Sequence, residues 1–270
     1  MLARQRQALI LEEARRTGAV RVSDLVARLG VSDMTVRRDL DVLAGRGLVE
    51  KVYGGATSVV GKSTDEPGFE AKSVRQRAQK EAIAQLAATL VRPGTAIGIS
   101  AGTTTWTLAR ALDAIPGLTI VTNSIQVANV LHSSNRADRT VVLTGGVRTP
   151  SDALVGPVAV TALRALHVDV LFMGVHGMSS EAGFTTPNLL EAETNQALIA
   201  SARRVVVVAD HTKWGVRGLS RIADLSAADM IVSDNGLGAD ARRAIKEHGV
   251  TLLLAGRQTT RKLSVSESER

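Results

Sequence analysis

The chain has no cysteine, which excludes disulfides, thiolate metal sites and cysteine nucleophiles. Aromatic residues are only 2% of it, too few for a protein that grips RNA or single strands by stacking bases. No apolar run is long enough to span a bilayer. The N-terminal MLARQRQALILEEARR sets acidic residues directly after a short apolar run, so no signal peptide is expected. The five histidines, His132, His167, His176, His211 and His248, form no i, i+4 pair and no HExxH. Neither a metal site nor a bound cofactor is expected. What remains is a chain of 270 residues with 44% hydrophobic content and a formal charge of +7. It is expected to be soluble and cytoplasmic, with one large domain or two ordinary ones and a lean toward an anionic partner.

The most informative stretch is VSDLVARLGVSDMTVRRDL, Val22 to Leu40. It follows an expected helix over Leu2–Arg16, with Leu2, Leu9 and Ile10 as its apolar positions and Gly18 as its end. Ser23 is placed to cap a second helix over Asp24–Leu29, Gly30 supplies a turn, and Ser32 is placed to cap a third helix. In that third helix Val36, Leu40 and Leu43 fall at i, i+4 and i+7, one buried stripe. Thr35, Arg37 and Arg38 lie off the stripe, as the reading residues of a recognition helix do. After Gly47, LVEKVYGGA alternates and ends in Gly-Gly, the pattern of a small β-wing that carries Tyr53. The expectation is a winged helix-turn-helix over 1–57, with Ser23, Ser32, Thr35, Arg37, Arg38 and Tyr53 as DNA contacts. The plainer alternative is a solvated charged helix face in a small bundle.

Residues 58–77 carry the Gly, Ser, Asp and Pro of a connector. From 78 to 256, Val-, Ile- and Leu-rich runs alternate with helical segments, which predicts a mainly parallel sheet covered on both faces. Strands are expected at 96–100, 119–122, 140–144, 168–175, 204–209, 230–233 and 251–254. Helices are expected near 79–91, 104–113, 124–133, 157–166, 189–202 and 239–248. Residues 257–270 are Ser-rich and charged and are expected to be a disordered tail.

Ligands of such sheets collect at the carboxyl ends of the strands. GISAGTTT ends a strand at Ser100 and opens a helix near Thr104, so Ser100, Gly102, Thr103, Thr104 and Thr105 can cradle a phosphate with backbone N–H and hydroxyl groups. A capped turn without a ligand is the alternative. The stretch is not a Walker loop, because no Gly-Lys-Ser/Thr follows. Asp210 and Lys213 follow the VVVV strand, where Lys213 can contact a phosphate or remain a plain loop lysine. Asn123, Ser124, Gly145, Gly146 and His176 stand at other strand ends and join the same candidate cleft. GLGADA, Gly236 to Ala241, fits a loose dinucleotide fingerprint but lacks the acidic residue that should follow, and reads as a helix-starting loop.

SDMTVRRDL resembles the helix-turn-helix signature of the DeoR/GlpR group of bacterial transcriptional regulators, and VYGGA resembles the wing after it. The likeness continues through GISAGTTT, TNS (122–124), LTGG (143–146), DVLFMGVHG (169–177), EAET (191–194) and ADHTKWG (209–215). It implies a C-terminal domain of the sugar-phosphate isomerase fold that senses a phosphorylated sugar or polyol. It also implies an oligomer, dimer or tetramer, that represses a sugar or polyol operon. Two departures stand out: Asn195 lies where the family often has a lysine, and DVLFMGVHG lacks the aspartate pair of the isomerases. The acids left for an isomerase are Asp169, Glu191, Glu193 and Asp210. The expectation is therefore a sensor without turnover. The alternatives are an isomerase-like enzyme fused to a DNA-binding module, and a purely structural DNA-binding protein.

Overall fold

The structure, a computed structural model, describes residues 2–17, 19–45, 48–58, 68–134 and 136–256. The chain falls into two compact units, Met1–Ser63 and Thr64–Arg270. Gly18, Gly47, most of the expected connector (59–67) and the expected tail (257–270) lie outside the described residues.

The first unit contains α1 (Ala3–Thr17), β1 (Ala19–Arg21), α2 (Val22–Leu29), α3 (Asp33–Gly45), β2 (Val49–Val52) and β3 (Gly55–Ser58). Its strands form an antiparallel sheet in the order β1-β3-β2. The predicted stripe Val36, Leu40 and Leu43 is buried, together with Ile10, Ala14, Val20, Leu25 and Val49. Each large side chain in that core contributes roughly 1.5–3 kcal/mol on burial. Leu2 and Leu9, apolar positions of the expected first helix, are exposed, at 72% and 43%. The face of α1 that packs is set by Ile10 and Ala14, one turn apart, and Leu2 precedes the helix.

The cap on α2 also differs from expectation. The helix begins at Val22, Arg21 stands at its N-cap with no side-chain cap, and the Ser23 hydroxyl donates to Asp24 instead. The reason is the unforeseen strand β1. The chain leaves β1 directly into α2, and the Val22 N–H is satisfied by the Gly54 carbonyl at 2.9 Å. The wing turn depends on two glycines. Gly54 has φ +77°, and a Cβ on Gly55 would lie 2.0 Å from the Val20 carbonyl oxygen, closing off the β1–β3 pairing.

The second unit opens with α4 (Phe69–Ser73), inside the stretch expected to be connector, and α5 (Arg77–Ala88). The seven expected strands are all present: β4 (Ala96–Ile99), β5 (Thr119–Thr122), β6 (Thr140–Leu143), β9 (Val170–Met173), β12 (Val205–Val208), β14 (Met230–Asp234) and β15 (Thr251–Ala255). They form one sheet, ordered β15-β14-β12-β9-β4-β5-β6, in which every pairing is parallel. Side chains alternate between two cores: Val205 and Val207 pack on one face, Val206 and Val208 on the other. The remaining helices are α6 (Thr103–Ala111), α7 (Ile125–Ser133), α8 (Pro157–Arg164), α9 (Leu189–Ala200) and α10 (Ala239–Glu247). Two short antiparallel pieces were not anticipated: β7 (Val147–Arg148) with β8 (Leu154–Val155), and the sheet of β10 (Gly177–Ser179), β11 (Gly183–Thr186) and β13 (Ser220–Ala223).

This strand order fixes where a ligand can sit. From β4 the chain builds outward through β5 and β6; from β9 it builds the opposite way through β12, β14 and β15. The reversal lies between β4 and β9. A crevice opens at such a switch point, beyond the carboxyl ends of the strands.

Candidate functional site

In the first unit the candidate contacts lie on α3 and on the wing. Arg37 and Arg38 are exposed, and Thr35 is half-buried. Arg37 is held by Asp33 one turn back, with Nε donating to Oδ1 at 2.5 Å, and this hydrogen bond raises the guanidinium pKa further. Arg38 makes no ion pair among the described residues. Ser32 does cap α3: its hydroxyl accepts from the Thr35 N–H at 3.3 Å and shares a 2.8 Å hydrogen bond with the Thr35 hydroxyl. Tyr53 stands fully exposed at the wing turn, next to Val52, and Met34 is exposed on α3. The wing is tied to α3 by an ion pair between Lys51 and Asp41.

Two contacts fasten α3 and α2 to α1. Asp39, on α3 and buried, accepts from Arg6 Nε and from Gln7 Nε2 at 2.9 Å, clasping α3 to α1. Arg28 on α2 pairs with Glu13 on α1 at 2.6 Å. Neither was foreseen, because a buried carboxylate on a helix looks in sequence like an exposed one.

In the second unit a cavity opens at the switch point. The start of α6 (Gly102, Thr103, Thr104), the end of β9 (Gly174 to His176) and the loop after β12 (Ala209, Lys213) line it. Lys72, Ser151, Thr186, Glu191 and Asn195 line it as well. Burial lowers the pKa of Lys213, with Arg75 adding repulsion and Asp210 pulling the other way. Behind it Lys80 is almost fully buried, and its Nζ donates to the Lys72 carbonyl at 2.5 Å. Desolvation takes the Lys80 pKa to about 8, with Lys213, Lys72 and Arg75 adding to the fall and Asp210 opposing it. The wall is therefore cationic beyond what Asp210 neutralises. The positive end of α6 points into the same crevice. The Glu191 carboxylate, which also lines the cavity, accepts from the Thr149 hydroxyl at 2.9 Å and the Thr186 hydroxyl at 3.0 Å.

Of the predicted effector residues, Gly102, Thr103, Thr104, His176 and Lys213 meet at this cavity. The others surround or support it. The Ser100 hydroxyl accepts from the Gly174 N–H at 3.0 Å and so joins β4 to β9. The Thr105 hydroxyl donates to the Gly102 carbonyl at 2.9 Å. Asn123 is buried, accepting from the Ala101 N–H at 2.9 Å and donating to the Leu154 carbonyl at 3.1 Å. Ser124 caps α7 through the Val127 N–H. Asp210 is buried and accepts from the Thr212 N–H at 3.0 Å. Gly145 and Gly146 do not line the cavity. A Cβ on Gly146 would sit 2.6 Å from the Val155 carbonyl oxygen, so that glycine permits the close approach of β8.

Sequence reasoning missed Lys72, Ser151 and Thr186, and weighed Glu191 only as an isomerase acid. Asp169 sits at the other end of the sheet, where its carboxylate accepts from the Ala96 N–H at 2.9 Å. Glu193 is on the exposed side of α9.

Residues 6–61 match the profile of the DeoR-like helix-turn-helix domain, and residues 75–235 match that of the DeoR C terminal sensor domain. The chain belongs to the DeoR family. It is accordingly a DNA-binding transcriptional regulator with a sensor domain. Its DeoR-family relatives include a putative aga operon transcriptional repressor of Escherichia coli O157:H7, 35% identical over 93% of this chain and 94% of that one. The regulator GlpR of Haloferax volcanii is 36% identical over 94% and 98% of the two chains. The glycerol-3-phosphate regulon repressor of Escherichia coli K12 is 30% identical over 93% and 98%. Among solved structures, ribose 5-phosphate isomerase A of Methanocaldococcus jannaschii matches with TM-score 0.38 and 16% identity. That match spans about half of each protein, 51% of this chain and 54% of the other, and no conclusion about activity rests on it. Among the described residues no helix is long and apolar enough to cross a membrane.

Proposed function

We propose that this DeoR-family regulator represses an operon for uptake or breakdown of a sugar or polyol and leaves its operator when a phosphorylated sugar or polyol fills the switch-point cavity. One observation carries the reading. A single cavity brings together cationic groups (Lys72, Lys213), the start of α6 and further hydrogen-bonding groups (Glu191, Asn195, Thr186). A phosphate suits the cations and the helix start, and a row of hydroxyls suits the rest. The names of the relatives, an aga operon repressor and a glycerol-3-phosphate regulon repressor, agree with that chemistry.

The division of labour follows the chain: residues 1–57 read DNA, 58–77 connect, 78–256 sense, and 257–270 trail as a tail. Arg38, Arg37, Thr35, Ser32 and Tyr53 meet the operator, with Ser23 at the margin. Ser100, Thr105, Asn123, Ser124 and Asp210 position the effector loops; Gly102 to Thr104, His176 and Lys213 touch the effector. The protein works in the bacterial cytoplasm as a dimer or tetramer, because one recognition helix reads too few base pairs for genomic specificity. It does not turn its ligand over. Within the cavity Glu191 is already engaged by two hydroxyls, and Asp169, the acid retained in DVLFMGVHG, lies at the far end of the sheet.

A thermal-shift screen with pentose, hexose and polyol phosphates tests this. A bound member raises the unfolding temperature of the native protein and lowers its affinity for operator DNA. Formation of an isomerised sugar phosphate would establish the enzyme reading instead.

A further inference from the structure

The two DeoR domain profiles end at residue 61 and resume at residue 75. The segment between them belongs to neither, yet it supplies a wall of the cavity. Lys72, on α4, lines the cavity, and its Nζ donates to the Ser151 hydroxyl at 2.8 Å. The helix carrying it is five residues long and buries none of them. The Phe69 ring meets Trp106 of α6 edge-on at 5.8 Å, the Phe69 N–H donates to the Pro150 carbonyl at 3.3 Å, and Lys80 holds the Lys72 carbonyl. After it the chain turns through Gln76 at φ +51°, an uncommon conformation for a residue with a side chain. Ahead of it, ten residues of chain separate Phe69 from the end of β3, the last strand of the DNA-binding unit.

We infer that Lys72 is an effector contact and that α4 is the element through which occupancy of the cavity reaches the DNA-binding unit. This rests on the proposal that the cavity holds a phosphorylated ligand. A bound anion gives the Lys72 ammonium, which already donates to the Ser151 hydroxyl, a further and charged acceptor inside the cavity. A five-residue helix with no buried side chain can be re-set by that added contact, whereas Lys213, on the loop after a central strand, cannot move far without disturbing β12. Lys72 and Lys213 then differ in role. Lys213 supplies affinity, and Lys72 also supplies coupling. Phe69 is a positioning residue that acts through α4.

The test measures binding and coupling separately in the full-length protein. A panel of glycerol 3-phosphate, fructose 1-phosphate, fructose 6-phosphate and ribose 5-phosphate, with inorganic phosphate beside it, is titrated by calorimetry, with and without the DNA that the protein selects from a random pool. The ratio of the two ligand dissociation constants is the coupling, about 5- to 150-fold in typical allosteric proteins. Wild type is expected to bind a panel member and to show coupling in that range. Lys72→Met should still bind the ligand, within about tenfold of wild type (1.4 kcal/mol being tenfold), while its coupling falls below about twofold. Phe69→Ala should bind the ligand as wild type does and lose coupling in part. Lys213→Met should lose ligand affinity itself. If Lys72→Met keeps full coupling, or loses affinity as Lys213→Met does with coupling intact, α4 is not the link and the inference falls while the ligand site stands. If wild type binds no panel member at all, the ligand reading fails, and this inference with it.

Discussion

The two halves of this protein present chemistry in opposite ways. The first unit keeps its apolar stripe inside and sets Arg37, Arg38 and Tyr53 in the solvent, as a surface that must enter a groove requires. The second unit draws its polar groups inward. Lys80, Asn123, Asp210 and Thr104 are all buried at the carboxyl ends of parallel strands. DNA is larger than the reader and is met from outside; a small anion is enclosed. Exposure leaves the arginines adaptable, whereas enclosure takes polar groups out of water and makes each polar partner count.

The contrast can be broken or sharpened by substitution. The largest effect is expected from Phe172→Ala, at the centre of the parallel sheet, which should destabilise the second unit by about 3–5 kcal/mol. Calorimetry should show that transition move down while the transition of the first unit stays; a common shift of both would mean that the units do not melt separately. Next is the pH dependence of Lys80. Its folded pKa of about 8 lies below its unfolded value near 10.5. The folded state therefore carries a penalty that is complete below pH 8 and is relieved as the pH climbs toward 10.5, so stability rises across that window. The rise is on the order of 3 kcal/mol at 1.36 kcal/mol per unit. Chemical denaturation at pH 8 and at pH 10 should show it in wild type, and Lys80→Met should lack it. An anion in the cavity favours charged Lys80, so ligand affinity should fall above pH 8.

In the first unit Arg38→Ala should weaken operator binding by about 1–3 kcal/mol for a direct base contact, with ligand binding unchanged. Anisotropy with labelled operator checks the first and calorimetry the second; an unaltered operator affinity would remove Arg38 from the interface. The smallest effect is expected from Ser32→Ala, which loses the cap of α3 for about 1 kcal/mol. A chemical melt should detect it.

The same contrast explains what could be read from sequence. The α3 stripe, the Ser32 cap, the wing and all seven parallel strands follow from local periodicity and turn residues, signals held within a few positions. The loops at Gly102–Thr104 and Lys213 were legible because strand ends are where sheet ligands gather. Lys72, Ser151 and Thr186 were not, because only the fold brings residues 72, 151 and 186 to one cavity. Lys72 stood in a Gly/Pro-flanked stretch that reads as connector, and helix α4 is too short to show a period. Gly145, Gly146, Asn123 and Ser124 are the converse: none of the four lines the cavity. They stand at strand ends, as ligand residues do, but their hydrogen bonds and close contacts hold neighbouring loops. The Ser23 cap was misplaced because three-residue β1 carries no pattern of its own and satisfies the helix start from Gly54.

The most direct test of the account is the operator affinity of the wild-type protein with and without the sugar or polyol phosphate that stabilises it in the thermal screen. The account predicts a fall of about 5- to 150-fold in operator affinity when that ligand saturates the cavity, and no fall with the unphosphorylated sugar. A ligand that binds at Lys213 and leaves operator affinity unchanged would contradict it.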